Sequence, residues 1–216
     1  MKKFPLPSTV VLGEQGPESA RRRGNRRSRV PQIIDVSINV LIDAGYGGYA
    51  INRVATEAGV RLSTLQHYFA NREALLRATL EEISRRYFER FLALAENKGR
   101  SAEERLASIM DDAYTELSKP GFPASIFEAW GLALHEEYAR EIVAGIQRQY
   151  QALFAKLVGE INPSMSIDET DIRGALLTSS LQGLIVYLRW TEDSPARRQE
   201  FKKTMKIVWK GLSSAE

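Results

Sequence analysis

Apolar residues recur at spacings of three and four along most of this chain, the period of helices that each bury one face. Ile34, Ile38 and Leu41 set the first such run and predict a helix over 31–44, with Pro31 in its first turn and Gly45 ending it. Tyr46, Gly47, Gly48 and Tyr49 then read as a turn, because they lack the spacing of a phosphate-binding loop. The stretch 51–69 predicts two short helices joined at a glycine. Val54, Ala55 and Ala58 share a face of the first; Gly59 breaks it and Val60 fills the angle. Leu65, Tyr68 and Phe69 make the apolar side of the second. Asn71 is placed to cap a longer helix reaching about residue 96, with Leu76, Leu80, Ile83, Tyr87 and Phe91 as its stripe. Ser101 and Glu104 have the capping-box spacing at the head of a helix to about 118. Pro120, Gly121 and Pro123 interrupt the pattern, and further helices follow over 125–134, 136–160, from 168 or 170 to 190, and from Pro195 onward. The expectation is an all-α fold of about nine helices, an N-terminal three-helix domain followed by an antiparallel helical bundle.

Two short helices meeting at a glycine turn form a helix-turn-helix, and the outward side of the second is chemically distinctive. Arg61, Leu62, Ser63, Thr64, Gln66 and His67 offer hydrogen-bonding groups and no acid, a composition suited to a major groove. Gln66 is the residue type that pairs bidentately with adenine, and Thr64 suits either a phosphate or a thymine methyl. Asn52 and Arg53, in the first turn of the supporting helix, are positioned for a phosphate or a base edge. Arg53 and His67 are equally well read as ordinary exposed residues. Tyr68 is expected to pack its ring inward with its hydroxyl toward the duplex backbone.

Charge sharpens this picture. Residues 1–72 carry eleven Lys or Arg against five Asp or Glu, whereas the whole chain carries only +3, so a basic head sits on a mildly acidic body. Basic side chains gain affinity for a polyanion by releasing its counterions. Residues 1–27 are expected to form a flexible arm ending in an arginine-dense run, which admits two readings, a solvated tail or a minor-groove contact. The chain has no cysteine and two histidines, His67 and His135. It therefore offers no thiol chemistry, no thiolate metal site and no recognisable catalytic constellation, and neither an enzyme nor a cofactor is expected. No apolar run approaches the roughly 20 residues of a membrane span, and the expected location is the cytoplasm.

The pattern AxxAGVxxxTLxxYFxNxExLL, from Ala55 to Leu76, resembles the DNA-binding signature of the TetR family of bacterial transcriptional regulators. Gly45 and Tyr46 match the family's glycine-aromatic turn. Arg61 stands where a capping serine is usual, Ser63 where a glycine is usual and Gln66 where a tyrosine is usual. Arg72 stands where the family often places a lysine aimed at a phosphate. The resemblance implies a helix-turn-helix domain over 28–72 and a ligand-binding and dimerisation domain over 73–216. It further implies a regulator, expected to be a repressor, that is released from a palindromic double-stranded operator by a small-molecule effector. A constitutive or architectural DNA binder with a filled body is the alternative.

In the family the effector lies among the helices after the long connector. Tyr87, Tyr114, Phe127, Trp130, Tyr150, Gln182 and Trp190 are the aromatic or amphipathic residues here that suit such a cavity, each also explicable as core. Glu128 adds a carboxylate, and if it were buried and unpaired a cationic effector would follow. The last two helices resemble the family's dimerisation pair, and Gly174, Ala175, Thr178, Ser179 and Gly183 would permit close helix approach. A homodimer through these helices is expected, because one recognition helix covers few base pairs.

Overall fold

The computed structural model describes residues 19–119, 122–192 and 194–214, which form nine helices and no strand. α1 (Ser19–Gly48) begins well ahead of the expected residue 31. Pro31 lies inside it, omitting one intrahelical hydrogen bond without ending the helix. Of the expected arm, residues 1–18 lie outside the described residues, while the backbone of 19–27 is helical and continuous with α1. The regular helix ends at Gly45, whose φ of 63° and ψ of 179° turn the chain toward α2 (Ile51–Glu57). Gly59, with φ 65°, makes the corner to α3 (Leu62–Tyr68). Both corners need a left-handed backbone, which glycine adopts without a steric penalty.

α4 (Arg72–Ala95) starts where Asn71 Oδ1 accepts the Ala74 amide at 2.8 Å. α5 (Ala102–Leu117) carries both halves of the predicted capping box. The predicted breakers Pro120 and Gly121 lie outside the described residues. Pro123 sits within the first turn of α6 (Phe122–Ala133), where its missing amide proton is no loss. α7 (Glu137–Ile161), α8 (Ile167–Trp190) and α9 (Pro195–Ser214) complete the bundle. Ser166 caps α8 by accepting the Glu169 amide, which fixes its start ahead of the expected 168 or 170. No described helix is long and apolar enough to cross a membrane.

Two cores organise these helices. The first joins Ile33, Ile38, Leu41, Val54 and Leu65 of the head to Leu76 of α4 and to Leu132 and Tyr138 of α6 and α7. The head therefore completes its interior with α6 and α7. The second packs Phe91, Ile109, Met110, Phe154, Leu177 and Trp209 between α4, α5, α7, α8 and α9. α7 and α8 make the most extensive helix pair. Gly174 permits it: a Cβ there would stand 2.6 Å from the Gln151 carbonyl oxygen and 2.8 Å from the Ala155 nitrogen. This glycine thus serves packing within the chain, not a partner's surface. Gly183, by contrast, opens onto free space.

Candidate nucleic-acid interface and interior cavity

Leu65 is fully buried, and with Val54 and Ala55 it fixes α3 against α2 by one side. The opposite side is thereby turned outward. Arg61, Leu62, Ser63, Thr64, Gln66 and His67 are all exposed, while Tyr68 is half-buried against the head core. No side chain caps α3, since Arg61 occupies the N-cap in extended conformation. His67 leans edge-on against Tyr68, with ring centroids 5.4 Å apart.

Two of the expected contacts are engaged within the protein. Arg53 is half-buried in α2 and gives its Nε to Glu57 Oε1 at 2.7 Å, with Asp43 3.8 Å from its Nη2. Arg72 donates Nε to the Tyr49 carbonyl at 2.9 Å and Nη2 to the Tyr46 carbonyl at 2.8 Å, and its guanidinium lies 4.4 Å from the Tyr46 ring centroid. It braces the turn before α2 instead of reaching outward. Asn52 is exposed, and its carbonyl accepts the Thr56 hydroxyl at 3.0 Å.

The same turn is held from its other side by the body. Glu128 of α6 accepts the Tyr46 amide at 2.8 Å and lies so close to Gly45 that a Cβ there would meet its Oε1 at 2.9 Å. Glu128 is therefore half-buried and partnered, and no carboxylate-centred cage for a cation forms around it. Beneath the turn a buried hydroxyl chain joins three elements. Ser37 Oγ lies 2.5 Å from Tyr49 Oη and 2.6 Å from Thr79 Oγ1, and Thr79 donates to the Leu75 carbonyl. Burial raises the Tyr49 phenol above its ordinary value, so it stays a neutral donor.

Between the two cores lies a cavity of about 110 Å³. It is walled by α4 through Leu80, Ile83, Tyr87 and Phe91, by α5 through Ala113, Glu116 and Leu117, by α6 through Ile126, Ala129 and Trp130, and by α7 and α8. Of the residues expected at an effector site, Tyr87, Trp130, Tyr150 and Gln182 line it. The others do not. Tyr114 donates its hydroxyl to the Arg198 carbonyl at 3.0 Å on the seam between α5 and α9. Phe127 packs between Trp130 and Trp190, at centroid distances of 5.6 and 6.2 Å. Trp190 itself is 69% exposed at the end of α8. Glu128 faces the head. Polar lining residues not expected there include Gln147 and Glu116. Gln147 left a trace, as a polar residue beside the Ile142, Ile146 and Tyr150 stripe; Glu116 left none, because acids are common on any helix.

Residues 33–79 match the model of a family described as bacterial regulatory proteins, tetR family. An HTH-type transcriptional regulator, BetI of Escherichia coli, is 26% identical over 174 residues, covering 78% of this chain and 82% of its own. A crystal structure of a transcriptional regulator from Pseudomonas aeruginosa PAO1 shares the fold with a TM-score of 0.73 at 16% identity, over 85% of this chain and 90% of that one. So does the transcriptional regulator FadR of Bacillus subtilis in complex with stearoyl-CoA, with a TM-score of 0.63 at 19% identity, over 86% of this chain and 98% of that one.

Proposed function

We propose that this chain, a transcriptional regulator that belongs to the TetR family of bacterial regulatory proteins, acts as a homodimeric repressor that an interior ligand releases from a palindromic operator. One observation carries this reading. α6 offers Ile126, Ala129 and Trp130 to the cavity and, from another side of the same helix, Glu128 to the turn that orients the helix-turn-helix. A ligand that displaces α6 thereby acts on the Tyr46 amide and on α3 beyond it. Linkage requires that such a ligand bind the DNA-free arrangement more tightly than the DNA-bound one. The cavity also counts against a constitutive binder, which would be expected to have a filled body.

On the DNA side, Arg61, Ser63, Thr64 and Gln66 read base edges in a major groove, with Leu62 against a thymine methyl and Asn52, His67 and Tyr68 toward the backbone. Arg53 joins them only by leaving Glu57. Arg72 contributes by fixing the turn. The dimer is supported by exposed large apolar residues on the last two helices, including Ile172 at 61%, Val186 at 44% and Ile207 at 71%. Exposed apolar surface, where it is contiguous, marks protein contacts. Gly183 lies on the same helix as Ile172 and Val186, with space for a close partner.

Selection of duplexes from a random library with the purified protein, followed by light scattering, tests the reading. A retained palindromic duplex and a dimeric mass are expected, and Gln66→Ala should relax preference at one base pair per half-site, at about 1–3 kcal/mol. Loss of every duplex at low ionic strength, or a strict monomer, overturns it.

A further inference from the structure

The cavity has a size and a charge balance that select a ligand class, and this inference rests on the effector reading above. A cavity of about 110 Å³ is of the order of those that accept one benzene-sized ring, and is far too small for a stearoyl chain. Its wall is aromatic and aliphatic, with Tyr87, Phe91, Trp130 and Tyr150 around it. Glu116 is the one charged residue lining it, and that charge is already met. Its Oε1 receives Arg90 Nη2 at 2.9 Å and Lys119 Nζ at 2.6 Å, and Arg90 is shared with Asp112 Oδ1 at 2.5 Å. Two cations facing two carboxylates leave no unbalanced charge for an ionic guest, which would shed its water without compensation.

Neutral polar groups are what remain. The Tyr150 hydroxyl and the Gln147 and Gln182 side-chain amides line the cavity, and none has a hydrogen-bond partner among the described residues. Tyr150 sits against Phe88 and Phe91 at centroid distances of 5.6 and 5.5 Å, which holds its ring in place. Its phenol is raised above its ordinary value by burial, so the hydroxyl is a neutral donor at all physiological pH. Unpartnered neutral polar groups in a mainly apolar lining are the positions at which a guest can be oriented by a hydrogen bond.

We propose that the cavity takes a compact, uncharged, largely apolar molecule about the size of one ring, bearing a single neutral hydrogen-bonding group that meets Tyr150. The full-length protein, titrated calorimetrically with matched probes, tests this. p-Cresol should bind about three- to tenfold more tightly than toluene, the ratio expected for one hydrogen bond, and benzoate and benzylammonium should bind at least tenfold more weakly than p-cresol. Tyr150→Phe should bring p-cresol down to toluene's affinity while leaving toluene unchanged, and Gln182→Leu should keep the p-cresol preference; loss of that preference in Gln182→Leu overturns the assignment to Tyr150, even if Tyr150→Phe fails to fold. Equal or tighter binding of either ion, stoichiometric binding of stearate, or no binding of any probe at millimolar concentration overturns the proposal. Duplex selection on the same preparation without probes keeps the two readings apart. Duplex retention with no neutral probe bound sinks the ligand class alone, and probe binding with no duplex retained sinks the regulator reading.

Discussion

At the scale of single residues, Arg72 and the outward side chains of α3 differ in what they hold. The Arg72 guanidinium is divided between two main-chain carbonyls and the Tyr46 ring, all within the protein. Replacing it with alanine leaves those carbonyls without a donor. With half-burial as a discount on charged hydrogen bonds, a loss of roughly 1–3 kcal/mol of folding stability is expected, read from the denaturant midpoint. A phosphate contact would behave otherwise, since its removal lowers the salt slope of DNA binding and leaves the midpoint in place. Lysine should recover little, because a point charge does not span two carbonyls as a planar fork does. The sequence places Arg72 next to the recognition helix but carries no sign of which groups it meets, as both lie more than twenty residues back along the chain.

Elements bring a different set of consequences. α6 is bonded to the head through Glu128 and forms a wall of the cavity, so cutting the bond should loosen the turn without touching the far bundle. Glu128→Ala is expected to speed hydrogen exchange at residues 45–49 while peptides from α8 exchange as before, and Glu128→Gln, which keeps an acceptor, should fall between. Uniform protection in all three proteins would deny α6 this role. The α7 and α8 pair makes a second prediction from its two glycines. Gly174→Ala forces a Cβ onto the α7 backbone and should cost about 1–3 kcal/mol in thermal or chemical unfolding. Gly183→Ala meets nothing within the chain and gains up to about 1 kcal/mol of helix propensity, so any loss of stability there must come from a partner. Sedimentation equilibrium should accordingly find a weaker dimer for Gly183→Ala and an unchanged one for a substitution at Gly145, which is also open but lies on α7.

For the molecule as a whole, the ion pairs between distant helices set the response to acid. Arg105 is buried at 4% exposure and pairs with Glu160 across α5 and α7, holding that carboxyl below its ordinary value of 4.5. Glu82 is held low in the same sense, first by Arg85 and then by Arg86, which also reaches Asp35 of α1 at 2.6 Å. A carboxyl whose folded value is depressed stabilises the fold fully above its unfolded value, and that stabilisation is lost as pH falls through the folded one. The melting temperature should therefore be flat through neutral pH and fall below about pH 4.5, with Glu160→Gln lowering the plateau and flattening the acid limb. Because Arg86 ties α4 to the head while Arg105 ties the bundle to itself, acid should release both parts together; separate transitions by circular dichroism would contradict that.

What the amino-acid sequence determined alone is the order of helices, most of their ends and the polar face of α3. Those follow from contacts three and four residues apart, from caps such as Asn71, Ser101 and Glu104, and from the left-handed corners at Gly45 and Gly59. Its periodicity also placed Tyr87 and Tyr150 on inward stripes, which is why they reach the cavity. Tertiary structure decided what those stripes enclose. An inward aromatic is equally consistent with a filled core and a lined cavity, and only the spacing of the five helices around it distinguishes Trp130, inside, from Trp190, outside. It also decided partners. Glu128 meets the amide of Tyr46 across 82 positions of sequence, and nothing in local spacing says which of the chain's carboxylates will arrive there.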